Sequence, residues 1–179
     1  MAATVVIISA HGATITTTET DVTSATIKNK RADNDTNDSA DPVPKPGAGE
    51  VFSWVKNMRI KVTVTPDGDI TNLRWYSDGV AIATGVILYV ATMATGSYVQ
   101  SAAGAGSLSG TASVKITGGT NATTYTSGSP LVVNSGTVLS NPSTGYGTQD
   151  ATVSQMGVDS TASRGTKGPK TYTFRFDES

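Results

Sequence analysis

The chain has 179 residues, a formal net charge of −1 and only 15% charged residues, which argues against a protein that binds nucleic acid by neutralising phosphates. Cysteine is absent, so neither a disulfide framework nor a thiolate metal site can form. The N-terminal apolar run lacks a basic segment before it, and no run approaches the length of a membrane span, so we expect neither a signal peptide nor a transmembrane helix.

The N-terminal third divides into an apolar start and a polar, proline-rich continuation. Residues 4–9 are apolar and β-branched, which fits either a strand buried on both faces or a terminal arm that becomes buried against a partner. Residues 13–30 alternate only weakly. Residues 31–49 are first acidic and then rich in Pro and Gly, too polar to offset their ordering entropy. We therefore predict an arm and linker over residues 1–49 and a compact domain over residues 50–179.

The stretch from residue 50 to residue 79 carries the clearest strand pattern. Apolar side chains occupy one face of a long strand at Phe52, Trp54, Met58, Ile60, Val62 and Val64. Lys56 interrupts this face, which indicates a bend or bulge. Turn residues 66–69 follow, and then a second strand carries Leu73 and Trp75 on one face. The pattern predicts a β-hairpin.

The remaining chain contains further short strands joined by Gly, Ser and Asn. Residues 86–90 form the most apolar run and predict a central buried strand. Alternation predicts strands at 111–117, 151–158 and 170–177, with shorter fragments near 80–82, 98–99, 130–133 and 138–139. About seven strands after residue 50 predict an all-β fold, a β-sandwich. A Trp-bearing strand followed by a polar-Gly turn resembles the immunoglobulin-like pattern, without its flanking cysteines.

Candidate chemical sites are few. His11 is the only histidine, and no nucleophile-elbow motif accompanies it, so we interpret it as a surface or interface residue rather than a catalytic base. The acidic segment fails the EF-hand pattern, because its sixth and twelfth positions hold Asp38 and Pro44 instead of Gly and Glu. A solvated acidic linker is favoured over an irregular calcium site formed by Asp33, Asp35, Asn37, Asp38 and Asp41. We predict no enzyme activity, metal or cofactor.

The aromatic residues allow two interpretations. Trp54, Trp75 and Tyr76 could form a sugar-binding platform, but Trp75 lies on the apolar face of its strand. Core packing is therefore the favoured role of Trp75, while Tyr76 points the other way and is the more plausible contact residue.

Two segments resemble small virion structural proteins of tailed bacteriophages. The first is RIKVTVTPDGDITNLRWYSDG followed by GVILYVAT, and the second is DATVSQMGVDSTASRGTKGPKTYTFRFDES, together covering roughly residues 57–95 and 150–179. The resemblance implies a capsid decoration or cement protein without an active site, present in multiple copies or as a homo-oligomer on the virion and bound to the major capsid protein. A neck or tail component is the alternative that the resemblance leaves open.

The N-terminal segment suggests how such binding could occur. Arms that order on binding can cover a large partner surface, and an apolar segment can add as a strand to a partner's sheet edge. The predicted interface residues are Val5, Val6, Ile7, Ile8, Ile15, Val22 and Ile27. We expect no nucleic-acid, membrane or small-molecule partner. A host- or glycan-recognising surface domain and a hydrolase with an irregular site remain as rival interpretations.

Overall fold

The computed structural model describes residues 2–98 and 115–179, and within these ranges the chain forms eleven β-strands and two short 3-10 turns. The strands are β1 (Thr4–His11), β2 (Thr18–Asp21), β3 (Glu50–Phe52), β4 (Lys56–Val64), β5 (Ile70–Ser77), β6 (Val86–Met93), β7 (Thr120–Asn121), β8 (Leu131–Val132), β9 (Thr137–Leu139), β10 (Ala151–Asp159) and β11 (Tyr172–Glu178). The turns are Thr95–Ser97 and Ala122–Thr124.

The strands form two antiparallel sheets. The larger sheet has seven strands in the order β2-β1-β4-β10-β6-β7, with β3 paired to β10. The smaller sheet has four, in the order β11-β5-β8, with β9 also paired to β5. The predicted all-β sandwich is therefore confirmed. Its finer assignment as immunoglobulin-like stays a prediction.

The main core lies between the two sheets. Ile60 and Val62 project from the larger sheet, and Leu73 and Trp75 from the smaller one, all in one buried cluster. Trp75 is fully buried, and its ring stacks on Tyr172 with centroids 5.2 Å apart. Core packing of Trp75 is confirmed. Because Trp75 pairs with Phe174 across β5 and β11, the predicted aromatic face of the last strand also points into this core.

The predicted hairpin of β4 and β5 is wrong. Both strands exist with the expected apolar faces, but β4 belongs to the larger sheet and β5 to the smaller one. The connection at residues 65–69, with Pro66 buried, therefore links one sheet to the other instead of pairing the strands. Alternation shows only that each strand has an apolar face. Two strands with such faces can border the same core either as neighbours in one sheet or as members of two sheets that face each other.

The predicted separation of residues 1–49 from residue 50 onward is also wrong for the N-terminal segment. Strand β1 pairs with β4 from Thr4–Val64 to Ala10–Asn57 and with β2 on its other edge. Residues 4–11 are thus an interior strand of the larger sheet. The apolar run at residues 4–9 was compatible with a buried strand or a terminal arm. Its pairing with the edge of β4 makes it a strand.

The predicted linker at residues 31–49 contains no strand, as expected, but it is not a solvated spacer. Residues 28–41, which we call the cover loop, lie on the inner face of the larger sheet beyond the main core, where Ser9, His11 and Lys56 continue the face of Ile60. Val43 then packs near a second apolar cluster that contains Val86 and Val158. Ion pairs, rather than apolar burial, attach the cover loop.

Other strand predictions have mixed outcomes. The strands at 86–90, 151–158 and 170–177 are confirmed as β6, β10 and β11, and the fragments near 131 and 138 are confirmed as β8 and β9. Residues 80–82 form no strand. The fragments at 98–99 and 111–117 lie largely outside the described residues. The expected irregularity near Lys56 is real, because the long strand is divided into β3 and β4 at residues 53–55.

Candidate functional site

The predicted interface residues lie mostly within the fold. Ile8 and Val22 are buried, and Val5 packs against the main core. Ile15 packs against an apolar cluster on the outer face of the larger sheet. The remaining three, Val6, Ile7 and Ile27, are partly buried. Val5, Ile8, Ile15 and Val22 therefore contribute to the packing of this chain, while the interface role of the seven residues stays a prediction.

The most unusual polar group is a buried ion pair beneath the cover loop. The Lys56 ammonium lies 3.1 Å from Asp35 Oδ1, and the two side chains are only 3% and 2% exposed. The hydroxyl of Ser9 donates to the same carboxylate oxygen at 3.0 Å, and His11 Nδ1 lies 3.1 Å from Asp35 Oδ2. Lys56 also donates to the backbone carbonyl of Asn34. Lys56 thus binds both the side chain and the backbone of the cover loop.

A second set of contacts attaches the two ends of the cover loop. Lys30 is 2% exposed and donates to Asp38 Oδ1 at 3.1 Å, while Lys28 donates to the carbonyl of Asp38 at 2.6 Å. The backbone N–H of Trp54 donates to the carbonyl of Lys30 at 2.9 Å. The carboxylate of Asp33 accepts the backbone N–H of Gly12 at 3.0 Å. Acidic residues of the predicted linker therefore accept hydrogen bonds and ion pairs from other parts of the same chain.

Burial and charge act in opposite directions on these groups. Burial raises the pKa of Asp35, but the Lys56 charge and the hydrogen bonds from Lys56 and Ser9 outweigh it, so the pKa of Asp35 lies below its usual 3.8. Burial lowers the pKa of Lys56, although Asp35 partly opposes this effect. Burial, with Asp33 and Asp35 nearby, raises the pKa of Tyr98 to about 12. Tyr98 donates its hydroxyl to the carbonyl of Gly12 at 3.0 Å.

The arrangement of Ser9, His11 and Asp35 differs from a nucleophilic triad. A triad requires the serine hydroxyl on the imidazole nitrogen that faces away from the carboxylate. Here the hydroxyl of Ser9 and Nδ1 of His11 both contact Asp35. Ser9 is also fully buried. The three residues are therefore placed to hold Asp35, and the geometry supplies no activated nucleophile.

The predicted alternative of a calcium site can be compared with the positions of the carboxylates. Asp35 is directed at Lys56 and Asp38 at Lys30, so two of the proposed ligands face cations. Within residues 2–98 and 115–179, no group of three or more acidic or histidine side chains converges as metal ligands would. Asp35 and Asp38 are therefore placed to pair with lysine side chains rather than to bind a metal ion.

Two buried glutamines complete the larger sheet where strand pairing stops, and sequence reasoning missed both. Gln149 accepts the backbone N–H of Ile60 at 2.9 Å and donates to its carbonyl at 2.8 Å. Gln155 accepts the N–H of Ile116 at 2.9 Å and donates to the carbonyl of Ser53 at 3.1 Å. Each amide thus replaces backbone pairing at an interruption of the sheet. The available signal for Gln155 is its place in the alternating run at residues 151–158, whereas Gln149 lies between Thr148 and Asp150 and gives no such signal.

A charged cluster also covers the outer face of the larger sheet. The Arg59 guanidinium lies 3.8 Å from the ring centroid of Tyr146, and the Lys61 ammonium lies 3.2 Å from Glu19 Oε2. Burial, together with the nearby Glu19 carboxylate, raises the pKa of Tyr146. Arg59 is 7% exposed, so its guanidinium is largely closed to a partner, whereas the side chains of Lys61 and Glu19 are partly exposed.

The outer face of the smaller sheet is different. Arg74 lies directly opposite Arg175 on one side and Val132 on the other, while Tyr76 lies opposite Thr173. Because Trp75 and Phe174 point inward, these neighbours point outward. Arg175 and Val132 are exposed, and the other three are partly exposed. We call these five residues the arginine face.

A small open cavity lies between the sheets near the end of β5. Its volume is about 100 Å³, and its lining includes Ile82, Leu88 and Tyr172 together with the ion pair of Asp78 and Lys170. Pockets for organic ligands usually enclose roughly 300–1,000 Å³. The cavity is thus smaller than a usual ligand pocket.

Comparison of the chain with protein-family models, with curated protein sequences and with solved structures gave no match. In the part of the chain that the structure describes, no helix has the length and apolar character needed to cross a membrane.

Proposed function

We propose that the chain is a non-enzymatic structural protein of a phage virion, which decorates the capsid and stabilises the shell by binding the major capsid protein. This role follows the resemblance of residues 57–95 and 150–179 to virion proteins of tailed bacteriophages. Decoration of a shell would place many copies of the chain on each particle.

The observation that carries the proposal is the unequal coverage of the two sheets. The centre of the larger sheet is covered on both faces by its own chain, because Ile60 and Val90 on one face and Asn57 and Gln155 on the other are almost completely buried. The smaller sheet buries only its inner face, and its outer face is open. A protein with one open sheet face is suited to lie against a larger surface.

The polar interior supports a structural role as well. Asp35, Lys56, Gln149 and Gln155 are all bound to other groups of the chain, and their contacts hold the cover loop and the interruptions of the larger sheet in place. Such satisfied networks make a fold rigid. A rigid body binds a repeated surface with little entropy cost in each copy.

The test is the position and copy number of the chain in purified phage particles, measured by electron cryomicroscopy. Density for the sandwich at regular positions over the shell is the expected result. A few copies on one symmetry axis would assign the chain to the neck or tail instead. Particles with no such density would overturn the virion role.

A further inference from the structure

The arginine face places two like charges directly opposite each other. Arg74 in β5 and Arg175 in β11 are cross-strand neighbours on the outer side of the smaller sheet. Like charges directly opposite each other in an antiparallel pair destabilise the sheet. The pair therefore costs stability in the isolated chain.

Nearby carboxylates do not relieve this repulsion. Among residues 2–98 and 115–179, neither Arg74 nor Arg175 forms an ion pair. The Asp177 carboxylate accepts a hydrogen bond from Asn72 Nδ2 at 2.9 Å. The Glu178 carboxylate accepts the backbone N–H groups of Asp67 and Ala3 at 2.7 and 3.1 Å. The closest acidic residues along β11 are thus engaged elsewhere.

Neutral acceptors hold one of the two arginines in position. Arg74 Nη1 donates to the carbonyl of Asn134 at 2.6 Å and to that of Leu73 at 3.1 Å. Its other guanidinium nitrogens make no hydrogen bond to the described part of the chain. A guanidinium with fixed orientation and free donors loses little entropy when it binds a planar carboxylate.

We propose that the arginine face binds an acidic segment of a partner protein, with carboxylates on Arg74 and Arg175 and an apolar side chain against Val132 and Tyr76. Charge-assisted hydrogen bonds from guanidinium to carboxylate are about twice as strong as neutral ones. This inference deepens the proposed function, because it names the surface that would meet the shell protein. The shell protein would then present carboxylates and an apolar side chain at this contact.

Charge favours a protein partner over nucleic acid. Affinity for nucleic acid comes from many Lys and Arg contacts with phosphates. The arginine face offers two cations and is flanked by Asp177 and Glu178, and the whole chain has a net charge of −1. A carboxylate at each arginine is the better match.

The first experiment measures binding of a short synthetic peptide of alternating glutamate and threonine, by following the arginine side-chain N–H signals in NMR spectra of the full chain. Addition of the peptide should shift the Arg74 and Arg175 signals, and a glutamine-threonine peptide should not. Substitution Arg175→Gln should weaken binding at least about tenfold, which is the scale of one lost charge-assisted contact. Arg175 is exposed, so this variant should fold normally.

Matched variants separate charge from geometry. Arg164→Gln removes an exposed cation from a loop and should leave peptide binding unchanged. The pair Arg74→Lys with Arg175→Lys keeps both charges but loses the guanidinium fork, and should bind more weakly than the natural chain. Equal binding by Arg175→Gln and Arg164→Gln would overturn the proposal.

Two further outcomes would also overturn it. A single-stranded oligonucleotide that shifts the same signals more strongly than the peptide would make nucleic acid the ligand. Self-association through this face, detected by sedimentation, would make a second copy of the chain the occupant. The peptide experiment uses purified protein, so a positive result would hold even if phage particles lacked the chain. A negative result would rule out the arginine face alone, and the particle experiment would still test decoration through another surface.

Discussion

Lys56 shows how one residue can carry two kinds of information. In the sequence it is a charge that interrupts an apolar face. In the structure it is buried, 3.1 Å from Asp35, and it binds the cover loop to the larger sheet. A buried ammonium is costly without a partner, because desolvation of one ion costs several kcal/mol. The ion pair therefore explains why a polar loop is held against this part of the larger sheet.

Removal of one partner should consequently cost more than removal of both. We expect Lys56→Met to destabilise the fold by about 3–5 kcal/mol, because it leaves Asp35 buried and unpaired. The double variant Lys56→Met with Asp35→Leu should cost less than the sum of the single changes. Urea unfolding of the four proteins measures the coupling. Lys61→Met on the same strand is the control, since its partly exposed pair with Glu19 should contribute at most about 1 kcal/mol.

The same pair predicts a pH dependence. The pKa of Asp35 is lower in the folded chain than its usual 3.8, so its ionisation stabilises the fold above pH 3.8. This contribution is lost as the pH falls below 3.8 and through the folded pKa. The difference in unfolding free energy between the natural chain and Asp35→Asn should therefore be largest near neutral pH and shrink in acid. A difference that stays constant down to about pH 2 would contradict this expectation.

At the scale of elements, β1 and the pair of β4 and β5 show the limits of periodicity. The alternation in β4 and β5 correctly indicated strands and their apolar faces, but not that the strands lie in opposite sheets. The apolar run of β1 was compatible with a strand or an arm, and pairing with β4 makes it a strand. The sheet to which a strand belongs depends on which strand edges pair in the folded chain. Side-chain alternation within one strand does not contain this information.

Deletion of residues 2–12 tests the position of β1. The change removes buried Ile8 and Ala10 and leaves the edge of β4 unpaired. We expect the shortened chain to lose its cooperative thermal transition, because the lost burial and pairing amount to a large part of a typical stability of about 5–15 kcal/mol. Near-UV circular dichroism during heating is the measurement. A shortened chain that melts like the complete one would restore the interpretation of residues 4–11 as an arm.

At the scale of the whole molecule, the main feature is a larger sheet whose centre is enclosed by its own chain and a smaller sheet with one open face. The enclosure depends on the cover loop, which follows the N-terminal strands and returns over the inner face of the larger sheet. Residues 2–49 therefore belong to the same folded body as the strands after residue 50. The open arginine face is the surface that we propose for contact with a partner.

Limited proteolysis with trypsin tests this enclosure. Lys28, Lys30 and Arg31 are buried or partly buried, whereas Arg164 lies in an exposed loop. Cleavage after Arg164 should therefore precede cleavage at residues 28–31, because a protease must open the chain locally before it cuts. The variant Asp35→Asn should accelerate cleavage at 28–31 and leave cleavage at Arg164 unchanged. Mass spectrometry of the early fragments gives the order. Early cutting at Lys30 in the natural chain would mean that the cover loop opens readily.

The sequence by itself determined the fold class, most strands after residue 50 and the apolar face of each, because side-chain alternation is a local property of the chain. It also determined that Trp75 belongs to the core. Only the tertiary structure decided that β1 lies inside a sheet, that β4 and β5 face each other across the core, and that Asp35 meets Lys56. These facts depend on contacts between residues far apart in the chain. The arginine face has the same origin, since Arg74 and Arg175 become neighbours only when β5 pairs with β11.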